Sequence, residues 1–122
     1  MTTEANKALV RRFNDEVWNK GHLDVVYEIF ADDYVRHDLR PGNPPPGPAG
    51  QKRIAEDFRA AFPDVHSTID FVIAEGDMVV TRWTAEGTNT GKWRDIAPTG
   101  KRARFNRRMA AAAPLNIRNR LM

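Results

Sequence analysis

The chain has 122 residues, with 19 Lys and Arg against 16 Asp and Glu, and 41% of its residues are hydrophobic. That length and composition are typical of one globular domain, and they exclude the collagenous and intrinsically disordered classes. The absence of cysteine excludes disulfides, thiolate nucleophiles and cysteine-based metal sites.

Three helices are predicted in the first half of the chain. The first has one apolar face, made of Leu9, Val10, Phe13, Val17 and Trp18. It stops at Gly21, because glycine accepts the left-handed conformation at a helix end. The second and third helices are predicted at residues 23–30 and 51–62. Residues 39–50 hold five of the eight prolines and three of the eight glycines, which predicts a surface loop.

Strands are predicted from Val65 onward, where the apolar period changes to two. Two sets of residues alternate along the first strand: Ser67, Ile69, Phe71 and Ile73 in one, and His66, Thr68, Asp70 and Val72 in the other. A turn at residues 75–77 and a second arm at residues 78–90 predict an antiparallel hairpin, and a third strand is predicted at about residues 101–106. Helices followed by antiparallel strands indicate the α+β class.

The charge is concentrated at the C-terminal end. Up to Ile96 the chain has 12 basic and 16 acidic residues, a net charge of −4, whereas the remainder has seven basic and no acidic residues. This basic stretch lacks interleaved aromatic residues, so no nucleic-acid partner is predicted. No apolar run approaches about 18 residues, so no membrane association is predicted, and a cytoplasmic location is the default expectation.

Several short phrases recur in an order that resembles one known family. They are residues 6–21, 30–38 (FADDYVRHD), 46–48 (PGP), 58–64 (FRAAFPD), 73–77 (IAEGD), 82–85 (RWTA) and 98–101 (PTGK). Over residues 5–105 the chain resembles the SnoaL-like polyketide (ester) cyclases of the NTF2-like superfamily. The resemblance implies a cystatin-like cone, in which N-terminal helices close the open face of a strongly curved antiparallel sheet. It also implies intramolecular aldol ring closure of a small hydrophobic or polyketide-like ester, with no metal and no organic cofactor.

Such a reaction needs an acid/base group to remove a proton beside a carbonyl, and hydrogen-bond donors to stabilise the enolate. The predicted catalytic residues are His37, whose imidazole titrates near neutral pH, and Asp38, which is expected to position it. The predicted substrate-binding residues are Tyr34, Trp83 and Trp93. We predict that His37, Tyr34 and Trp83 border one cavity.

Each candidate residue also has a structural interpretation. His37 could be a partly exposed histidine that hydrogen-bonds local backbone, and Trp83 could simply fill the core. Trp93 and Ile96 could form a lid over the cavity or anchor an ordinary surface loop. His66, at a strand start, is predicted to be structural or exposed.

After Phe105 the sequence departs from the family, which predicts a SnoaL-like unit at residues 1–105 and an atypical basic tail at 106–122. Characterised cyclases carry an acid/base aspartate near their end, whereas residues 106–122 contain no Asp or Glu. A shifted reading frame and a genuine divergent tail both explain this segment. Missing or altered last strands would expose a sheet edge and its concave face, which favours a homodimer.

Two functions remain open at this point. The first is a cyclase-type enzyme that is weak or inactive because the terminal carboxylate is missing. The second is a non-catalytic NTF2-like module for ligand binding or dimerisation. An inward-facing carboxylate near His37, from Asp38, Asp70 or Glu86, would favour the enzyme.

Overall fold

Helices precede a three-stranded antiparallel sheet, as the α+β class predicts. The computed structural model describes residues 3–32, 45–76, 78–93 and 95–112, with the backbone alone for 107–112. The helical elements are α1 (Thr3–Arg12), a π-helical segment (Phe13–Asn19), a 3₁₀ turn (Leu23–Val25), α2 (Val26–Ile29) and α3 (Pro48–Ala61). The strands are β1 (His66–Glu75), β2 (Met78–Thr88) and β3 (Arg102–Ala112), in the order β1-β2-β3.

Two element boundaries differ from the sequence prediction by three residues or more. Helix α3 begins at Pro48 rather than near residue 51, because proline has a helical φ and its missing N–H costs nothing in the first turn. Strand β3 continues to Ala112, past the predicted end near residue 106, because β2 still offers pairing partners there: Val80 pairs with Ala110, and Met78 with Ala112.

A β-bulge at Asp70 corrects the predicted faces of β1. Ile69 pairs with Trp83 while Phe71 pairs with the adjacent Arg82, so β1 has one extra residue at this point. An extra residue reverses the alternation of the side chains beyond it. Regular alternation would place Ser67, Ile69, Phe71 and Ile73 on one face. Instead Ser67 and Ile69 face the core, whereas Phe71 and Ile73 lie on the outer face, where Ile73 is 57% exposed.

The π-helical segment aligns residues five apart along the chain. Its wider turn is closed by the Lys20 N–H, which donates to the Asp15 carbonyl at 3.1 Å. Phe13 and Trp18, five apart, both point into the core with their ring centroids 6.3 Å apart. Asn14 and Asn19, also five apart, both reach β1.

Both asparagines bind the backbone of Ser67 on β1. The Nδ2 atoms of Asn19 and Asn14 donate to the Ser67 carbonyl at 2.8 and 3.1 Å, and the Ser67 N–H donates to Asn19 Oδ1 at 2.6 Å. Strand β1 is an edge of the described sheet, so these two backbone groups have no neighbouring strand. The Asn19 amide takes that role and fixes the helical layer to the sheet.

Asp64, two residues before β1, contacts the last residue of β2 and the first residue of β3. The Thr88 N–H donates to Asp64 Oδ1 at 2.6 Å, and Arg102 Nη1 lies 3.7 Å from Asp64 Oδ2. The hydrogen bonds from the Thr88 backbone and hydroxyl, assisted by Arg102, hold the pKa of Asp64 below its ordinary value.

We predict that Asn19→Ala lowers the free energy of unfolding by about 2 kcal/mol, because the Ser67 N–H loses its hydrogen-bond partner and the Ser67 carbonyl keeps only Asn14. Urea denaturation measures this change. The exposed neighbour Lys20→Ala serves as the control and should stay within about 0.5 kcal/mol of the parent chain. Equal stability of N19A and K20A would contradict the role given to Asn19.

The lowered pKa of Asp64 predicts a stability contribution that depends on pH. The unfolded-state pKa is about 3.9, so the contribution is complete above about pH 4 and is lost as the pH falls through the lower folded-state value. Thermal unfolding should therefore show the parent chain more stable than Asp64→Asn at pH 7, with the gap closing near pH 2. The exposed Asp95→Asn controls for the loss of one charge. A gap of the same size at both pH values would contradict the prediction.

Candidate functional site

The inner face of β2 is the centre of the candidate site. Successive strand residues point to opposite faces, so the residues that face the helices are alternate ones: Val79, Thr81, Trp83 and Ala85, all buried. Val79 and Trp83 pack in one hydrophobic cluster with residues of the helical layer, among them Val10, Phe13 and Val17. A small ligand placed between the two layers would contact this face.

Four aromatic contacts connect the two tryptophans predicted to bind substrate. Trp83 contacts Phe13 (6.4 Å between ring centroids), which contacts Trp18 (6.3 Å). Trp18 contacts Phe58 (5.5 Å), and Phe58 contacts Trp93 (5.7 Å), all in edge-to-face geometry, which is favourable for aromatic pairs. Trp83 and Trp93 therefore lie at the two ends of one row of rings rather than side by side.

Trp93 belongs to a second aromatic group, built around Phe58. Phe62 stacks on Phe58 at 4.9 Å, and Phe105 meets both rings edge-on at 5.2 to 5.4 Å. The backbones of Trp93 and Ile96 exchange two hydrogen bonds, which turns the chain so that Ile96 is exposed while the Trp93 ring packs inward. Trp93 is thus the inward-facing member of this small loop.

Asn89 fixes that loop to the end of α3. Its Nδ2 donates to the carbonyls of Ala61 and Gly91 at 3.2 and 2.9 Å, and its Oδ1 accepts from the Thr99 N–H at 3.0 Å. Gly91 passes so close to the helix end that a Cβ there would lie 1.8 Å from the Ala60 carbonyl oxygen. The position of Trp93 therefore depends on α3.

Four buried polar atoms have no hydrogen-bond partner in the part of the chain that the structure describes. They are Asn6 Oδ1, Asn14 Oδ1, Trp18 Nε1 and Thr81 Oγ1. An unsatisfied buried polar atom costs about 1 to 3 kcal/mol, so each calls for a water, a ligand or another residue as its partner. None of the four was predicted from the sequence, although a lone Thr81 among the inward apolar positions of β2 is a signal of this kind.

Three predicted site residues, Tyr34, His37 and Asp38, lie outside the described residues. The prediction that His37 and Tyr34 share a cavity with Trp83 therefore stays a prediction. Trp83 itself is buried on the inner face, where core packing and contact with a ligand are compatible roles.

The two other carboxylates named as possible inward groups lie on the outer face. Asp70 Oδ2 accepts a hydrogen bond from Thr84 Oγ1 at 2.7 Å and lies 3.8 Å from Arg82 Nε. Glu86 pairs with Arg102 at 3.2 Å and with Arg104 at 3.7 Å. Neither can act as a base on a ligand at the inner face.

No His, Asp, Glu, Lys or Arg is buried within residues 3–32, 45–76, 78–93 and 95–106. His66 is exposed, one of the two outcomes predicted for it, and lines an open groove of about 320 Å³ with Arg11 and Asp15. The described residues also hold no group of three or more His, Asp or Glu side chains placed to bind a metal ion. None of the described helices has the length and hydropathy needed to cross a bilayer.

A model of the SnoaL-like polyketide cyclase family matches residues 8–109. The chain belongs to this family. The match covers the second half of α1, the π-helical segment, β1, β2 and most of β3, so it includes the inner face and both aromatic groups.

Solved structures of other proteins have the same fold. A candidate polyketide cyclase from Acidithiobacillus ferrooxidans is 30% identical over 95% of this chain and 82% of its own, with a TM-score of 0.73. TsrD from Streptomyces laurentii is 18% identical over 98% and 87% of the two chains, with a TM-score of 0.84. A candidate SnoaL-like cyclase from Jannaschia sp. CCS1 is 21% identical over 98% and 85%, with a TM-score of 0.79. The last two likenesses show the fold alone. No curated protein matches the chain.

Proposed function

We propose that this chain is a SnoaL-like polyketide (ester) cyclase-type protein, which binds a small polyketide-like ester against the inner face of its sheet. The observation that carries the proposal is an aromatic, buried inner face with unpartnered hydrogen-bonding atoms, in a chain of this family. The reaction is an intramolecular aldol addition. A base removes a proton beside one carbonyl, the enolate carbon attacks a second carbonyl, and the new alkoxide takes up a proton. This step needs no redox partner and no cofactor.

His37 is the proposed acid/base group, with Asp38 as the residue that positions it. This assignment rests on the family phrase at residues 30–38 and on the absence of a buried ionisable group among the described residues. An imidazole can accept the first proton and return it to the alkoxide within one turnover. Turnover is expected to be slow, because residues 106–122 lack the carboxylate that the family places near its end.

The second candidate function is a non-catalytic module that binds a ligand in the same place. One observation favours it: the inner face, as far as it is described, offers aromatic rings and hydroxyl, amide and indole groups but no acid or base. Such a face would bind an oxygenated apolar molecule without converting it.

We predict that His37→Ala lowers kcat for ring closure of a polyketide methyl ester by about 10²- to 10⁴-fold, as expected for loss of a general acid/base. Affinity for the ester, measured by calorimetry, should change by less than about threefold. His66→Ala is the matched control, since His66 is exposed, and it should leave both values unchanged.

The outcomes of this assay separate the two functions. Equal turnover by H37A and the parent chain would show that the base lies elsewhere. Ester binding without turnover in the parent chain would establish the binding module in place of the enzyme.

A second copy of the chain is the proposed partner of the outer face. Phe71, Ile73 and Val80 are exposed there, and Ile73 and Val80 are direct cross-strand partners, so they form one apolar patch. Contiguous exposed apolar residues favour association.

The division of the chain at residue 105 and the cytoplasmic location both remain predictions. Strand β3 crosses that division.

We predict that Ile73→Lys converts the dimer to a monomer, because it places a charge inside the proposed interface. Sedimentation equilibrium measures the mass. Thr68→Lys adds the same charge to an exposed position of the same strand, before the bulge, and should leave the dimer intact. A parent chain that is monomeric at high concentration, or an I73K variant that remains dimeric, would contradict the proposed interface.

A further inference from the structure

Two threonines on β2 present their hydroxyls in opposite environments. Thr84, on the outer face, donates to Asp70 at 2.7 Å, and the side-chain oxygen of Asn106 lies 2.9 Å from the same hydroxyl. Thr81, on the inner face, is 0% exposed, and its hydroxyl has no partner among the described residues. The threonine hydroxyl is therefore hydrogen-bonded on the outer face, whereas on the inner face it has no partner among the described residues.

Core packing alone does not explain a threonine at position 81. Valine has nearly the same shape and would avoid the cost of burying an unpaired hydroxyl. The inward residues on either side, Val79 and Trp83, are apolar and buried as that argument expects. The hydroxyl of Thr81 is thus the exception on this stretch of the strand.

The position of Thr81 suits contact with a ligand. It lies on the central described strand, paired with Val72 on β1 and with Met109 on β3. Trp83 is two residues away on the same face, which places the two Cα atoms about 7 Å apart along the strand. A bicyclic molecule can span that distance, with its ring against the indole and an oxygen at the hydroxyl.

We propose that Thr81 is a substrate-orienting residue, whose hydroxyl donates to a carbonyl or enolate oxygen of an apolar, oxygenated ligand packed against Trp83. The inference rests on the proposed function, because it requires that the inner face binds a ligand. It adds to that function the hydroxyl of Thr81, which would recognise an oxygen atom of the ligand on this part of the inner face. Thr81 takes no proton from the ligand, so it sets orientation and affinity while the acid/base group sets the rate.

The test uses 1-tetralone and tetralin, two bicyclic probes of similar shape of which only the first carries a carbonyl. NMR titration measures the affinity of the full chain for each probe. The parent chain should bind 1-tetralone about tenfold more tightly than tetralin. Thr81→Val should abolish that preference by weakening 1-tetralone alone, and Thr81→Ser, which keeps the hydroxyl, should retain it.

Thr84→Val is the matched control on the opposite face of the strand. Losing its bond to Asp70 should lower the Tm and leave both probe affinities unchanged. Thr81→Val should instead leave the Tm of the free protein unchanged or raise it, because an unpaired buried hydroxyl is removed. Higher stability combined with weaker binding is the signature of a residue kept for function.

Three results would overturn the inference, and they are distinguishable. If the parent chain binds both probes equally and T81V changes neither, Thr81 does not orient the ligand, although ligand binding at the inner face stands. If T81V lowers the Tm as T84V does, the hydroxyl of Thr81 has a structural partner. If the parent chain binds neither probe, ligand binding at the inner face fails and the inference fails with it.

Discussion

The pairing of Asn19 with the backbone of Ser67 is the interaction on which the rest of the structure depends. It occurs at the free edge of β1 and satisfies both the N–H and the carbonyl there. The π-helical segment makes it possible, because residues five apart face the same way: Asn14 and Asn19 reach the strand, while Phe13 and Trp18 enter the core. One widened turn thus fixes the helices over the sheet and forms the aromatic cover of the inner face.

The ion pairs of the sheet and its buried aromatic residues lie on opposite faces. The outer face carries ion pairs such as Asp70 with Arg82 and Glu86 with Arg102, together with the exposed side chain of Ile73. The inner face carries aromatic rings and the hydroxyl of Thr81, and no ionisable group that is buried in the described residues. A hydrogen bond made in such a buried environment is stronger than one made in water. This separation supports the proposed ligand site on the inner face and the proposed interface between copies on the outer face.

The helices and the hairpin could be predicted because their hydrophobic periods are long and regular. The orientation of Phe71 and Ile73 could not, since a single bulge at Asp70 reverses the alternation and leaves no signal in the residue types. Trp83 was named as a site candidate because a tryptophan in the middle of an alternating strand either contacts a ligand or fills the core. Thr81 was missed because threonine suits any strand, and only its lack of a hydrogen-bond partner among the described residues distinguishes it from Thr84.

The central claim is that a ligand binds at the inner face of the sheet. The most direct measurement is a set of intermolecular nuclear Overhauser effects between 1-tetralone and the methyl groups of the protein. Binding at the inner face predicts contacts to Val79 and Thr81, whose side chains are fully buried there. Contacts confined to Ile73 and Val80, on the outer face, would contradict it.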